Sequence, residues 1–398
     1  MTTKVDITIV GAGLVGMAAA IALQQAGFSV ALVDGKNPAN TNADLIDDDV
    51  WDQRIYAISP KNAAWLRSLG IWQLLNPTRI GEMQAMQIWG DASLTPLELM
   101  AEDANQDYLG FIVEASNLTQ ALMQKIEASE ISTLFDNLCV ALTTDSNKAE
   151  LQLANQTMIE SALLLAADGG QSWVREQLSI PTQQKSYDQI AVVANFEVEK
   201  SHSNIARQWF AHDVEDKNSI LAWLPLPENK ISIVWSVSSQ YASELLQLTA
   251  DEFTSEVAKA GDYLLGAMKL ITSPASFPLA LQTTTTLTKD CVVLIGDAAH
   301  QIHPMAGQGM NLGFRDVINL VELLKEKNSY QSVSDSSLLK RYSRVRKTDT
   351  LNMLMLTDGL YRLFASRNGA VKKVRNWGLS VTSHKAIKKL LVQNAIAF

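Results

Sequence analysis

Hydrophobic and polar positions fall into a regular order at the start of the chain. "VDITIV" (5 to 10) has the pattern of a buried strand, and Gly11 to Gly16 forms a turn. Leu14 to Ala26 is rich in Ala and Leu, with no breaker beyond Gly16. Gly27 closes that helix, and "FSVALVD" (28 to 34) is a second strand ending in an acid, which predicts a βαβ unit. The alternation does not continue. Residues 85 to 100, 189 to 198 and 219 to 238 have strand character, and in "SILAWLPLPENKISIVWSVS" the stretch Pro225 to Lys230 predicts a hairpin turn. This is the pattern of an antiparallel sheet inserted into the domain that the βαβ unit begins. "LLLAADGG" (163 to 170) and "DCVVLIGDAAH" (290 to 300) return to short buried strands ending in small acidic turns, and from about Ser334 the chain is helical in composition. There are no repeats or low-complexity linkers.

Composition narrows the class without naming it. With 398 residues, 47% hydrophobic and 19% charged, the chain is long enough for more than one structural unit and for a large buried cofactor. Cys139 and Cys291 both lie in apolar runs, cannot build a disulfide framework, and predict buried thiols in a reducing, cytoplasmic setting. A net charge of −9 argues against nucleic acid, but it hides an asymmetry. Residues 359 to 398 hold eight Lys or Arg and no acid, leaving 25 basic against 42 acidic side chains before them, a balance of −17. "ITIVGAGLVGMAAAIAL" (7 to 23) looks like a signal peptide or short span. Only Lys4 precedes it, followed by Asp6, and 17 residues is the minimum for crossing a bilayer.

The glycine spacing accounts for that run better. "GAGLVG" satisfies GxGxxG: Gly11 for the tight turn, Gly13 for close approach of a pyrophosphate, Gly16 for helix–strand packing. Phosphates would sit on the helix N-terminus, and Asp34, 18 residues after Gly16, is placed for ribose hydroxyls. The motif does not separate NAD from FAD. Further on, "AADGGQSWVRE" sets Asp168, Gly169 and Arg175 after a strand, and "GDAAHQIHPMAGQGMNLG" (296 to 313) crowds glycines, two histidines and Asp297 into eighteen positions.

In this order, these motifs resemble the flavoprotein aromatic monooxygenases typified by para-hydroxybenzoate hydroxylase. The chain is similar in more detail to the ubiquinone-biosynthesis hydroxylases, through "DQRIYAISPKNAAWLRSLGIW" (52 to 72), "WLPL" (223 to 226), "SIVWSVS" (232 to 238), "FPL" (277 to 279) and "GDAAHQIHPMAGQGMNLGFRD" (296 to 316). The resemblance implies an α/β fold: a Rossmann-like FAD-binding domain of the glutathione-reductase type, an inserted antiparallel β-sheet substrate domain, and a C-terminal helical region. The FAD domain would take residues 1–80, 105–182 and 283–335, the substrate domain 81–104 and 183–282, and the terminal helices 336–398. Two positions depart from the family: Asp34 stands where Glu is usual, and Val113-Glu114-Ala115 where Val-Glu-Asn is common.

The implied cofactor set is resident FAD, NAD(P)H as a transient reductant and O2 as co-substrate. No second GxGxxG marks a separate nicotinamide domain. The implied cofactor-binding residues are Gly11, Gly13, Gly16, Asp34, Arg54, Asp168, Gly169, Asp297, Gly307, Gln308, Gly309, Met310 and Asn311. Asp297 would accept ribityl hydroxyls, and Gly307, Gly309 and Gly313 would let backbone press on the isoalloxazine. The helix beginning near Gln308 would aim its N–H groups at the flavin N1/C2 edge, stabilising reduced flavin. The ring chemistry belongs to the cofactor: reduced flavin takes up oxygen as a C4a-hydroperoxide that attacks an electron-rich ring. No protein side chain is assigned as a catalyst. Arg54, His303, Pro304, Trp223 and Leu226 are the pocket candidates, with Leu224, Pro225 and Trp235 completing an apolar wall. His300 and His303 stand at i, i+3, but no neighbouring Cys or free carboxylate completes a metal shell, so no metal is expected.

In "SHKAIKKLLVQNAIAF" Ile387, Leu390, Leu391, Ala395 and Phe398 share one helical face opposite Lys385, Lys388 and Lys389. This fits a docked terminal helix or an interfacial one meeting anionic lipid or a partner protein of ubiquinone biosynthesis. The leading expectation is an FAD-dependent hydroxylase of a polyprenylated phenol, cytoplasmic and peripheral at the inner face of the membrane. A soluble hydroxylase of a small phenol or aromatic acid, and a non-catalytic flavin-fold scaffold, are the alternatives.

Overall fold

The computed structural model describes residues 2–40, 50–90, 96–211, 219–302 and 308–365. His303, Pro304, Gly307 and the basic tail beyond residue 365 lie outside the described residues.

Five short strands form a parallel sheet in the order Val292–Leu294, Met158–Ala166, Thr2–Val10, Val30–Val33, Ser132–Leu134. Covered on both faces, parallel strands must be apolar throughout, which explains why Ile7, Ile9, Leu32, Leu163 and Val293 are all fully buried. The first strand feeds helix Leu14–Gln25, buried along Gly16–Leu23 beneath helices Ala115–Glu127 and Gln308–Lys325. Its run of small residues lets those helices come close. An antiparallel extension, Cys139–Thr144 and Ala149–Leu153, pairs onto the first half of Met158–Ala166.

The inserted sheet has nine strands and joins segments far apart in sequence. Its path runs His300–Gln301, Ala275–Thr284, Thr182–Val198, Lys230–Ser238, Ser219–Leu226, Ile205–Ala211, Ala85–Trp89, Leu97–Met100, with Met268–Leu270 also on Thr182–Val198. The hairpin expected at Pro225–Lys230 is present, Leu226 pairing with Lys230. Side chains alternate across the sheet. On one face Val192, Phe196, Leu221, Trp223, Ile233 and Trp235 pack against helices Ser239–Leu245 and Ala250–Ala260. A three-stranded sheet, Ile55–Ile58, Gly110–Glu114 and Ile80–Met83, abuts the other face at the hairpin, where a Cβ on Gly81 would collide with the Pro225 carbonyl.

Candidate active site

The glycine loop has the shape its spacing predicts. Gly11 sits at φ +105°, and a Cβ there would collide with the Ala167 carbonyl, whereas a Cβ on Gly16 would strike Gly11 itself. Gly13 differs: a Cβ there meets nothing within 4 Å, so the loop backbone faces open space above the helix N-terminus. Asp34 accepts from Ala12 N–H (2.6 Å) and Lys36 N–H (2.9 Å), so its carboxylate braces this loop as well as bordering it.

Asp168 caps the short helix Trp173–Gln177 through Val174 N–H (3.0 Å), while its Oδ1 is buried with no partner. Burial raises its carboxyl pKa, against the bonds from Ser172 and Val174. Arg175, missed as a contact by sequence reasoning, donates to Ala298 O (2.9 Å) and Gly170 O (2.6 Å), tying the Asp168 turn to the Gly296–Ala298 turn.

Asp297 keeps solvent access although protein surrounds it, as at the floor of a cleft. Partial desolvation raises its carboxyl pKa, opposed by His300 and a bond from Gln301. His300 is buried, with Nε2 2.8 Å from Asp316 Oδ2 and Nδ1 unpartnered. Asp316 also accepts from Gly296 N–H (2.8 Å) and Arg346 Nε (2.7 Å), and Arg346 pairs further with Asp349. Burial alone would raise the Asp316 pKa; His300, Arg346 and the Gly296 N–H more than offset this and hold it low. His300 thus supports the cofactor turn from behind, and no cluster of three potential metal ligands occurs among the described residues.

The helix Gln308–Lys325 starts where the resemblance placed it. A Cβ on Gly309 would meet nothing within 4 Å, leaving that backbone open. Met310 is buried in the parallel-sheet core. Two expectations change here. Asn311 does not reach outward: its side chain accepts from Ser59 N–H (2.9 Å) and Asn62 Nδ2 (2.8 Å) and donates to Ala57 O (2.7 Å), locking the helix start to the 55–62 segment. Gly313 faces not a ring but the protein, since a Cβ there would lie 2.7 Å from Val15.

Arg54 borders the same cleft. Its Nε is 3.9 Å from Asp52 Oδ1, and its charge and that of Asp297 both act on the Tyr56 hydroxyl, whose pKa burial raises. The segment is pinned from below by Glu114, which accepts Asp52 N–H (2.6 Å) and pairs with Arg79 (2.7 Å). Glu114 therefore has a structural task, and Ala115 takes part through its backbone, its N–H donating to Arg54 O (2.8 Å). The aromatic wall is corrected by register. Trp223 and Trp235 belong to the helix-packed face; Trp223 lies against Trp209 (4.7 Å between centroids) and fills the space a Gly261 side chain would need. Leu226 lies on the opposite face but is buried beside Gly81 at the hairpin end.

That opposite face carries three cross-strand rows: Asn195–Ser232–Leu224, Val193–Val234–Ala222–Gln208 and Ala191–Ser236–Ile220–Phe210. None of these residues is charged. Asn195 Nδ2 donates to Asp52 O (2.8 Å), which joins this face to the Arg54 border.

The open glycine loop, the unpartnered Asp168 oxygen, the exposed Asp297 and the backbone open at Gly309 make up a candidate cradle for FAD in a mixed α/β fold. The FAD binding domain family model matches residues 4–356, and the chain belongs to this family. It is 31% identical to the 3-demethoxyubiquinol 3-hydroxylase of Escherichia coli (strain K12), over 96% of both chains. It is 33% identical to the ubiquinone hydroxylase UbiL of Rhodospirillum rubrum, over 98% of this chain and 89% of the relative. Among solved structures, Pseudomonas aeruginosa PqsL in complex with 2-aminobenzoylacetate shares the fold with a TM-score of 0.78 at 18% identity, covering 96% of this chain and all of that one. Klebsiella pneumoniae HpxO, complexed with FAD and uric acid, does so with a TM-score of 0.75 at 14% identity, covering 99% of this chain and 97% of that one.

Proposed function

We propose that this chain hydroxylates the aromatic ring of a polyprenylated phenol of ubiquinone biosynthesis. FAD is the cofactor, NAD(P)H the electron donor and O2 the oxygen source. The observation that carries the reading is the set of three uncharged rows on the cleft side of the inserted sheet, the charged row Glu197–Lys230 lying at the hairpin end. A carboxylate-bearing aromatic acid lying on those rows would meet no charged side chain within them, whereas a neutral, greasy phenol would not need one. The names of the full-length relatives support the same substrate class.

Bound FAD supplies hydride acceptance from NAD(P)H and, once reduced, activation of O2. The residues at Gly13, Asp34 and Asp168 would hold its nucleotide half, with Asp297 and the start of helix Gln308–Lys325 beside its ring half. The uncharged rows keep water from the ring, and the helix dipole favours the negative charge of the reduced cofactor. In balance, ArH, O2, NAD(P)H and H+ give ArOH, NAD(P)+ and H2O. No helix among the described residues is long and apolar enough to cross a membrane, and the basic tail is the proposed means of peripheral attachment at the cytoplasmic face or to a partner protein.

The test is the visible spectrum of the purified protein, then turnover of a prenylated phenol with NADPH under 18O2. A flavin spectrum and an 18O-labelled ring hydroxyl are expected. A protein that cannot be reconstituted with FAD, or unlabelled product, would overturn the proposal.

A further inference from the structure

Helix Ser336–Ala365 has two unlike sides. Leu339, Tyr342, Arg346 and Met353 are buried and face the parallel-sheet core, Asp316 and the cluster of Ile302 and Leu312. On the outer side Lys340, Arg344, Lys347, Leu351 and Met355 recur at i, i+4, i+7, i+11 and i+15, which makes one line about 22 Å long at about 1.5 Å per residue. All five are exposed, Leu351 by 50% and Met355 by 64%. The line is graded: three cations come first, then two large apolar side chains. Asp349, the single acid between Ser336 and Met355, is taken up by Arg346 and Arg315. Neither Lys340 nor Arg344 pairs with a carboxylate among the described residues.

We propose that this stripe is a docking surface for an anionic phospholipid membrane. Lys and Arg suit the phosphate level of a bilayer, and Leu351 and Met355 suit the acyl boundary beneath it, so the helix meets the surface with the Met355 end deeper. Taking those two side chains out of water adds a driving force that charge alone does not supply. Charge also decides against the chain's own tail as the cover. Residues 359–398 carry eight Lys or Arg and no acid, and like charges repel. The stripe is a separate surface from that tail, and lipid binding needs neither flavin nor phenol, so its test is independent of the hydroxylation proposed above.

The experiment measures co-sedimentation of the full-length protein with vesicles of phosphatidylglycerol and phosphatidylcholine in equal parts, against phosphatidylcholine alone. Three variants are compared with wild type: Lys340→Gln with Arg344→Gln, Leu351→Ser with Met355→Ser, and, in the tail, Lys385→Gln with Lys388→Gln and Lys389→Gln. The thermal midpoint establishes that each variant folds. Wild type is expected to bind the anionic vesicles only, and less as salt rises. Loss of Lys340 and Arg344 should lower partitioning about tenfold. Loss of Leu351 and Met355 should lower it several-fold and leave the salt dependence in place. A polarity-sensitive maleimide on Met355→Cys, with unsubstituted protein as the blank, should shift to the blue on the same vesicles. If both helix variants partition within about twofold of wild type while the tail variant loses binding, the tail alone meets lipid and this inference fails by itself. If wild type binds neither kind of vesicle, lipid docking fails for helix and tail together, the stripe is left to a partner protein, and the hydroxylation reading is untouched.

Discussion

Asp316→Asn tests how the cofactor turn is supported. The wild-type carboxylate accepts from Gly296 N–H (2.8 Å), His300 Nε2 (2.8 Å) and Arg346 Nε (2.7 Å), all in a fully enclosed setting. An asparagine keeps one acceptor oxygen and sets an N–H2 against one of these donors. It also removes one of the two carboxylates that neutralise the buried Arg346. Removing one partner of a buried pair costs about 3–5 kcal/mol. The loss should appear in thermal unfolding of the apo protein, followed by tryptophan fluorescence, and again as weaker FAD binding, because Gly296 precedes Asp297. The pH dependence has a definite sign. The folded-state pKa of Asp316 lies below its unfolded value near 3.8, so its stabilisation is complete above that value and is lost as pH falls through the folded pKa. The variant should lack that acid limb. Pairing Asp316→Leu with Arg346→Met removes both charges and should recover part of the loss, as a double-mutant cycle would reveal. A single Asp316→Asn variant within about 0.5 kcal/mol of wild type, with unchanged FAD affinity, would refute the reasoning.

The glycine loop gives a paired prediction. Gly13→Val should weaken FAD binding about a hundredfold or more by flavin-fluorescence titration while the apo protein keeps its thermal midpoint, whereas Gly11→Val should lower that midpoint because its Cβ strikes Ala167. Burial pushes the His202 pKa down, with Nε2 on Glu228 O and Nδ1 accepting from Asn204 N–H. Its contribution to stability is present above an unfolded value near 6.5 and lost as pH falls through the folded pKa, so His202→Asn should flatten the stability profile below about pH 6.5 in urea titrations. Trp223→Ala should cost about 3–5 kcal/mol by urea unfolding but leave FAD affinity unchanged, since the indole packs on the helix side of the sheet. Arg175→Lys, able to reach only one of two carbonyls, should weaken FAD binding several-fold in the same titration.

Much of the local geometry of the candidate site was legible along the chain because its parts are local. The turn at Gly11–Gly16, the acid ending the second strand and the helix start at Gln308 each follow from neighbouring residues, so motif spacing found them. Side-chain direction was harder to read. In "SILAWLPLPENKISIVWSVS" the alternation of the strands is visible, but which face meets helices and which meets the cleft depends on helices Ser239–Leu245 and Ala250–Ala260 covering one side. Hence sequence reasoning sets Trp223 and Trp235 on the wrong wall.

By itself, the sequence determined the parallel-sheet domain, the inserted antiparallel sheet and the shape of the glycine loop, because hydrophobic period and glycine spacing act over a few residues. Only the tertiary structure decided that Asn311 is a clasp, that Glu114 answers Arg79, and that Asp316 joins His300 to Arg346 across 46 residues of chain. Buried polar groups must find partners wherever the fold brings them together, and those partners leave no period in the sequence.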